Sequence, residues 1–316
     1  MEDINPMVVV VVDVEAVDVN MMNNIEIFGK EIPIRTHQCS LFGNKPDEIE
    51  SPYINLYIRT KFCNAKCEFC IFADNASKFN EDRYIEVINE VKSKIFIKKI
   101  AFTGGEPTLY WDQFKWMVQT SSELSPDSTL SMNTDGLNLI KLFEDPINKL
   151  ISNIHISRHH YNDELNNKIF KTKTPTTEEL KWAQSMSDNP YQLQISCNII
   201  KGYIDSNPEV FKMLEWVNSL KINNVGLVAL MPVNEYSKEN FKYFNIRELI
   251  NERFNVTREW SNDGVCQCTN YVYFPEDARQ PMKVYHKNTF NPSLIRDTLV
   301  FDGENLRIGF DGDLIY

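Results

Sequence analysis

The sequence predicts an α/β fold built around a parallel sheet. Segments rich in β-branched and aromatic residues alternate with segments whose apolar residues recur every three or four positions, the pattern of strands alternating with helices. Six strand–helix units of this kind run from about residue 52 to residue 235. Strands joined through a helix lie parallel to one another, so the pattern favours one parallel sheet covered by helices.

The first two units have the clearest boundaries. YINLYI (53–58) alternates as a strand does and runs directly into a cysteine-rich segment. Asn80 is a candidate N-cap for the helix that follows, because Asn is favoured at that position. The apolar residues of that helix keep helical spacing. They are Ile85, Ile88, Val91 and Ile95. IKKIAFTGGEPTLY (97–110) then predicts a strand, a glycine turn and the start of a second helix.

The remaining units follow at a similar pitch. Four further segments have the composition of strands, and helical stretches such as 207–220 lie between them. The four strand segments are STLSMNTDG (128–136), SNIHISRHH (152–160), LQISCNIIKG (193–202) and NVGLVALMPVN (224–234). The core of the fold is therefore expected over residues 51–235. Residues 1–50 are expected to form an N-terminal extension, and residues 236–316 a C-terminal region that completes or covers the substrate side.

Composition narrows the class of protein. The formal net charge of −11 argues against a general nucleic-acid binder, whose surface is basic. The most apolar run, MVVVVVDVEAV (7–17), is interrupted by Asp13 and Glu15 and is too short for a membrane span. Valines 8–12 suit a strand at an edge or end of the sheet. We therefore expect a cytoplasmic protein without a membrane or nucleic-acid partner.

Three of the seven cysteines lie within eight residues, in CNAKCEFC (63–70). A structural zinc site takes four ligands, usually from two Cys-x2-Cys pairs, and the only other close pair, Cys266 and Cys268, has a gap of one residue. Thiolates on one loop can instead each bind a different iron of an iron–sulfur cluster. In a four-iron cluster, the three cysteines Cys63, Cys67 and Cys70 leave one iron open for a ligand that is not a protein side chain.

CNAKCEFC is similar to the Cys-x3-Cys-x2-Cys signature of the radical S-adenosylmethionine (radical SAM) superfamily. The resemblance implies one 4Fe–4S cluster on the three cysteines, with SAM bound to the open iron through its amino and carboxylate groups. It places Phe69 in the aromatic position near the SAM adenine. It also implies a partial (β/α)6 TIM-type barrel with N- and C-terminal extensions, whose site lies at the carboxyl ends of the strands.

TGGEP (103–107) resembles the superfamily motif whose backbone holds the SAM amino group, and Gly104, Gly105 and Glu106 are its candidate residues here. Glycine permits positive φ and close approach of the backbone to a ligand. A bulky residue at either glycine is therefore expected to weaken SAM binding and to spare the iron.

Closer resemblance is to the branch of the molybdopterin-precursor GTP cyclase and its relatives. Asn133 lies in the slot of the strand-end Thr-Asn-Gly of that branch, Ser196 and Asn198 in its fifth strand, and Met231 in its sixth-strand Met-Pro. The resemblance implies SAM contacts for these residues. Hydrogen bonding at strand ends is the alternative for the polar ones.

The segment ISRHHYND (156–163) departs from the family pattern. Arg158 is a candidate to pair with the SAM carboxylate in a bidentate ion pair. His159 and His160 are adjacent on a strand and so face opposite ways, which allows at most one of them to point into the barrel.

The remaining cysteines leave the number of clusters open. In the GTP cyclase, three further cysteines bind a second cluster, whereas this region of the chain holds only Cys266 and Cys268, which makes GTP cyclisation doubtful. Cys39 could complete a composite site with them, and one thiol could instead donate a hydrogen atom. The further alternative, which we favour, is that Cys39, Cys197, Cys266 and Cys268 are all ordinary buried cysteines. Cys197, between two candidate ligands on a strand, is expected to face the helix layer. We predict one cluster.

The resemblance implies a radical SAM enzyme that reductively cleaves SAM to a 5′-deoxyadenosyl radical and abstracts a hydrogen atom from a substrate carbon. A reductase or flavodoxin-type protein would supply the electron. We favour a peptide natural-product precursor as the substrate, with a nucleotide or another small metabolite as the alternative. An alternative of a different class is a non-catalytic iron–sulfur or zinc scaffold.

Overall fold

The computed structural model describes residues 22–35, 37–38, 47–48, 52–70, 79–232, 234–242, 254–260, 268–275, 280–287, 298–310 and 312–316. The valine-rich segment 8–12, Cys39 and Cys266 lie outside these residues. The strands are β1 Met22–Ile27, β2 Lys30–Arg35, β3 His37–Gln38, β4 Asp47–Glu48, β5 Tyr53–Thr60, β6 Phe96–Gly104, β7 Thr129–Thr134, β8 Asn153–Ser157, β9 Leu193–Ile199, β10 Asn224–Ala229, β11 Phe254–Trp260, β12 Cys268–Tyr273, β13 Met282–Lys287, β14 Thr298–Phe301 and β15 Leu306–Ile308. The helices are α1 Glu81–Lys94, α2 Trp111–Leu124, α3 Leu139–Glu144, α4 Asp163–Phe170, α5 Thr177–Met186, α6 Asn207–Ser219 and α7 Glu235–Glu239.

Strands β5 to β10 lie side by side in chain order, and every neighbouring pair among them is parallel. One or more helices follow each strand, which confirms the predicted α/β fold with six strand–helix units. The sheet continues beyond this core. On one side β13 pairs parallel with β10 and is followed by β12 and β11, and on the other β14 pairs parallel with β5 and is followed by β15. Among the described residues the sheet stays open, as a partial barrel does.

The two faces of the sheet have different roles. In β5 the side chains of Ile54, Leu56 and Ile58 are buried against the helices, while the residues between them are half-buried. The same alternation appears in β9 and β10. One face therefore forms the hydrophobic core with the helices, and the other, the inner face, lines the open interior of the partial barrel.

The helix that follows the cysteine-rich segment begins where the sequence predicts. The side chain of Asn80 accepts a hydrogen bond from the backbone N–H of Arg83 at 3.1 Å, and Glu81 and Asp82 lie in the first turn. Both features stabilise a helix N-terminus. None of the helices in the described parts of the chain is long and apolar enough to cross a bilayer.

The terminal segments pack beside the first strand and the first helix. The hairpin β1–β2 buries Ile27 and Ile32 in the main core. Phe28 stacks on Tyr316 with ring centroids 4.0 Å apart, and the Tyr316 hydroxyl donates to Glu86 on α1 at 2.6 Å. These contacts join the two ends of the described chain to α1.

Candidate cofactor site

A cavity of about 260 Å³ lies at the carboxyl ends of β5 to β10. The cysteine-rich loop forms one wall, and the ends of the strands form the other. Ten of the residues predicted as cluster or SAM ligands line it. They are Cys63, Cys67, Phe69, Cys70, Gly104, Gly105, Asn133, Ser196, Asn198 and Met231. Glu106 and Arg158, which the sequence also suggested, do not line it.

Backbone hydrogen bonds fix the cysteine loop, residues 61–70. The N–H of Lys66 donates to the carbonyl of Phe170 at 3.0 Å, and the N–H of Cys70 donates to the carbonyl of Cys67 at 3.1 Å. From the opposite side, the amide nitrogen of Asn234 donates to the carbonyl oxygens of Glu68 at 3.0 Å and Cys70 at 3.4 Å. The loop is therefore held from both the β8 and the β10 side of the site.

The three thiols of this loop suit an iron–sulfur cluster better than a single metal ion. Among the described residues no group of three or more Cys, His, Asp or Glu side chains converges closely enough for one ion. Cluster ligands need not converge, because each binds a different iron. Burial is the main cause that raises the pKa of Cys67 to about 12, and the negative charges of the neighbouring thiolates and of Asp135 add to it. Burial likewise raises the pKa of Cys63 to about 11. Binding as thiolates therefore requires the positive charge of the metal.

The glycine turn contacts the cysteine loop directly. Gly104 has a φ of +103°, and the N–H of Gly105 donates to the carbonyl of Thr60 at 2.7 Å. A Cβ on Gly105 would lie 1.9 Å from the carbonyl oxygen of Phe62, the residue before Cys63. Only glycine fits at both positions, because the glycine turn packs directly against the backbone at the end of β5 and the start of the cysteine loop. This requirement is separate from any contact with a ligand.

The prediction that Glu106 contacts SAM is not supported by its position, because its side chain points away from the cavity and is only 2% exposed. Its carboxylate accepts hydrogen bonds from the N–H and hydroxyl of Thr108 at 3.0 and 2.6 Å, the hydroxyl of Thr134 at 2.8 Å and the N–H of Asp135 at 2.8 Å. Burial, and then the charge of Asp135, raises the pKa of Glu106 to about 8. Glu106 thus ties the glycine turn to the end of β7.

Asp135 lines the cavity, although the sequence analysis did not select it. Its carboxylate accepts from the N–H of Leu137 at 2.9 Å, and burial raises its pKa. The sequence signal was an acidic residue followed by glycine at the end of a strand, which is typical of a turn as well as of a site.

Arg158, which was expected to pair with the SAM carboxylate, does not line the cavity. Its guanidinium is buried behind the strand and donates to the carbonyls of His160 at 2.7 Å, Pro175 at 2.8 Å and Tyr161 at 3.2 Å. It also forms an ion pair with Asp163. These contacts occupy the guanidinium, which fastens the loop after β8 to the start of α5.

His159 faces the cavity and His160 faces away from it, so only one of the two histidines points inward. The His159 Nδ1 accepts from the backbone N–H of Asn198 at 3.0 Å, and its ring stacks on Phe170 with centroids 4.8 Å apart. Burial, and then the charge of Arg158, lowers the pKa of His159 to about 3, which keeps the imidazole neutral. Which of the two histidines faces the site could not be predicted from the sequence.

Of the four cysteines outside the loop, the structure describes two, Cys197 and Cys268. Cys197 is fully buried in the hydrophobic core behind β9, as expected from its neighbours. Cys268 begins β12, where its backbone lies opposite Lys287 of β13. Cys39 and Cys266 lie outside the described residues, so a single cluster stays a prediction.

Residues 57–239, more than half of the chain, match the family model of the radical SAM superfamily. The chain belongs to the radical SAM superfamily. It is therefore an enzyme, which sets aside the scaffold alternative, and its cofactors are a 4Fe–4S cluster and SAM. The three thiols of the cysteine loop would hold the cluster, which when reduced would supply the electron for cleavage of SAM. Three cysteines on one loop above a cavity fit this pair of cofactors.

The chain is also similar to curated relatives and to solved structures. The chain is 24% identical over 229 residues to GTP 3′,8-cyclase of Staphylococcus epidermidis, a match that covers 67% of this chain and 65% of the relative. It is 22% identical to GTP 3′,8-cyclase of Aquifex aeolicus over 213 residues, covering 65% of each. The structure of SuiB from Streptococcus suis has a TM-score of 0.48 and 18% identity, covering 62% of this chain and 44% of that one. Native anSMEcpe with bound AdoMet and Cp18Cys peptide has a TM-score of 0.44 and 17% identity, covering 56% and 50%.

Proposed function

We propose that this radical SAM enzyme abstracts a hydrogen atom from a carbon of a peptide precursor held on the inner face of the sheet. The observation that carries the proposal is a second cavity of about 740 Å³, lined by residues of β8, β9, β10, β12 and β13. It shares Ser196 and Val228 with the cofactor cavity, so a bound substrate would lie beside the SAM site. We call this second cavity the chamber.

The chamber presents groups that suit a peptide. Amide side chains line it at Gln194, Asn224 and Asn270, and none of the described residues that line it carries a carboxylate. An amide side chain both donates and accepts hydrogen bonds, as the peptide backbone requires. Gly226 leaves room in the wall, because a Cβ there would meet its nearest neighbour only at 3.9 Å. A volume of about 740 Å³ is enough for several residues of an extended peptide.

The chemistry divides between cofactors and protein. One electron from a reductase or flavodoxin-type donor cleaves SAM, and the resulting radical takes one hydrogen atom to give 5′-deoxyadenosine and a substrate radical. The protein holds the cluster on the cysteine loop, positions the substrate carbon in the chamber and excludes water. A reduced, cytoplasmic setting suits both the thiol ligands and such a donor.

A nucleotide or another small anionic metabolite is the second candidate, and two lysines favour it. Lys283 lines the chamber, as does His155. Lys99 lies near His155: burial of the imidazole is the main cause that lowers its pKa, and the positive charge of Lys99 lowers it further. The ammonium group of a lysine suits a phosphate or carboxylate group of a ligand. The relatives named GTP 3′,8-cyclase also favour this candidate.

Formation of 5′-deoxyadenosine by the anaerobically reconstituted, reduced enzyme tests the proposal. A low-molecular-weight extract of the source organism should stimulate it, and treating the extract with protease should remove the stimulation. Gly226→Leu, which fills the chamber, should abolish stimulation and keep the slow cleavage of SAM without substrate. Stimulation that survives protease but is lost after phosphatase, or stimulation by pure GTP, would contradict the peptide proposal and support the second candidate.

A further inference from the structure

A third cavity, of about 270 Å³, lies beside the cysteine loop and is separate from the cofactor cavity. The described residues that line these two cavities do not overlap. The chain passes between them, because Phe62 lines the third cavity whereas Cys63, the next residue, lines the cofactor cavity. We call the surface around the third cavity the outer patch. It is formed by Arg59, Lys61, Phe62 and Tyr110.

The outer patch exposes two aromatic side chains that pack on each other. Phe62 is 42% exposed and Tyr110 is 52% exposed, and their ring centroids lie 5.5 Å apart in an edge-to-face arrangement. Tyr110 is the N-cap residue of α2, but its side chain makes no capping hydrogen bond there. Contiguous exposed apolar surface marks an interaction site, and aromatic side chains contribute much of the binding energy at such sites. The aromatic pair is therefore available to a partner.

The outer patch belongs to a basic segment of an acidic chain. Residues 59–70 contain three cations and one carboxylate, whereas the formal net charge of the whole chain is −11. Two ion pairs join this segment to other parts of the molecule, Lys61 with Asp302 at 3.7 Å and Glu68 with Lys171 at 3.0 Å. The first adds one negative charge and the second adds one positive charge, so the local excess of positive charge remains. Such an excess attracts an acidic partner.

The position of the outer patch suits a protein that donates electrons to the cluster. Phe62 is bonded to Cys63, a predicted cluster ligand, so a molecule that covers Phe62 lies next to that ligand. Electron transfer between two cofactors slows steeply with distance, and a protein donor is too large to enter a cofactor cavity of about 260 Å³. The outer patch offers an approach that leaves the SAM site undisturbed. Interfaces for electron transfer are small, so two exposed rings and a few charges suffice.

We propose that the outer patch is the docking site of an acidic, flavin-containing electron carrier, whose flavin edge contacts Phe62 and Tyr110. A flavin ring is flat and has an apolar edge, which packs favourably on aromatic side chains. The inference rests on the proposed function only in requiring an electron donor, and it holds for any substrate.

The first test measures the affinity of oxidised bacterial flavodoxin for the anaerobically reconstituted enzyme by surface plasmon resonance, at low ionic strength and without SAM or substrate. Tyr110→Ser removes an exposed ring, and we expect flavodoxin to bind about tenfold more weakly. Phe96→Ser is the matched control, because Phe96 is 49% exposed and begins β6 at the end of that strand away from the glycine turn. It should bind flavodoxin as the wild type does. Equal affinities for Tyr110→Ser and the wild type, or no binding by the wild type, would overturn the proposal.

A second test separates docking from the state of the cofactor site. Dithionite is a small reductant that needs no docking surface, whereas reduced flavodoxin does. The rate of SAM cleavage with flavodoxin below saturation is divided by the rate with dithionite. This ratio should fall about tenfold in Tyr110→Ser and stay at the wild-type value in Phe96→Ser. A wild-type ratio in Tyr110→Ser would contradict the proposal.

The third test needs only the wild-type enzyme and remains decisive if Tyr110→Ser does not fold. Oxidised flavodoxin should slow amide hydrogen exchange in residues 59–63 and 107–113. Slower exchange confined to other segments would show that the carrier docks elsewhere. No peptide is present in any of the three tests, so their failure would leave the peptide proposal standing, and failure of the peptide proposal would leave the docking site standing.

Discussion

Replacing Gly105 with alanine is expected to damage the cluster site as well as SAM binding. The added Cβ would lie 1.9 Å from the carbonyl oxygen of Phe62 and 2.5 Å from its carbonyl carbon, and Cβ atoms essentially never approach such atoms within 3.0 Å. Both neighbours are backbone atoms, so the two segments must separate by about 1 Å. Phe62 is bonded to Cys63, and the separation therefore moves the first cluster ligand.

The size of the effect follows from two contributions. Overpacking against backbone costs about 1–3 kcal/mol. The added methyl also displaces the Phe62 carbonyl from the N–H of Glu106, which donates to it at 2.8 Å, and loss of that bond costs about 1 kcal/mol. The free energy of unfolding should fall by about 2–4 kcal/mol. A ligand displaced by about 1 Å should lower the rate of SAM cleavage about 100-fold or more.

The assays are denaturant unfolding of the apoprotein, iron content after reconstitution and formation of 5′-deoxyadenosine. Gly202→Ala is the control, because its Cβ meets no atom within 4 Å and adds only the strain of a φ of +83°, about 1 kcal/mol. The sequence alone led us to expect that iron would be spared by such substitutions, whereas the structure predicts that Gly105→Ala loses iron. If Gly105→Ala keeps its iron and cleaves SAM as Gly202→Ala does, the reasoning from this contact is refuted.

Three further predictions concern the cluster. Replacing any one of the three cysteines of the loop with alanine should abolish the brown chromophore and SAM cleavage, and cleavage by the triple variant would contradict the ligand assignment. We expect about four irons per chain, retained in the Cys39→Ala, Cys266→Ala, Cys268→Ala variant, whereas about eight falling to four would show a second cluster. Asn234→Ala removes the hydrogen bonds to the carbonyls of Glu68 and Cys70. It should lose iron faster to a chelator than the wild type, and equal rates would show that these bonds do not hold the loop.

Features that depend on short stretches of chain could be predicted from the sequence. Each of these features is encoded within about fifteen consecutive residues. They are the individual strands and helices, the cap at Asn80, the cysteine spacing and the glycine turn. The parallel order of β5 to β10 follows from that alternation, since a helix returns the chain to the same end of the sheet. The site at the carboxyl ends of the strands follows in turn, because that is where the loops of parallel strands meet.

Only the tertiary structure decided which polar side chains face the site. The sequence favoured Arg158 over His159 as a residue of the site. Successive residues of an extended chain face opposite sides, and in the structure Arg158 faces the helices whereas His159 faces the cavity. This choice is set by the register with β9, where the N–H of Asn198 donates to His159. Likewise the Glu106 side chain turns away from the cavity because it accepts hydrogen bonds from donors at the end of β7, and an entire helix separates Glu106 from that strand in the chain. The chamber wall depends on pairing between β10 and β13, more than fifty residues apart in the chain. Such contacts depend on where distant segments meet, and local sequence patterns carry no record of that.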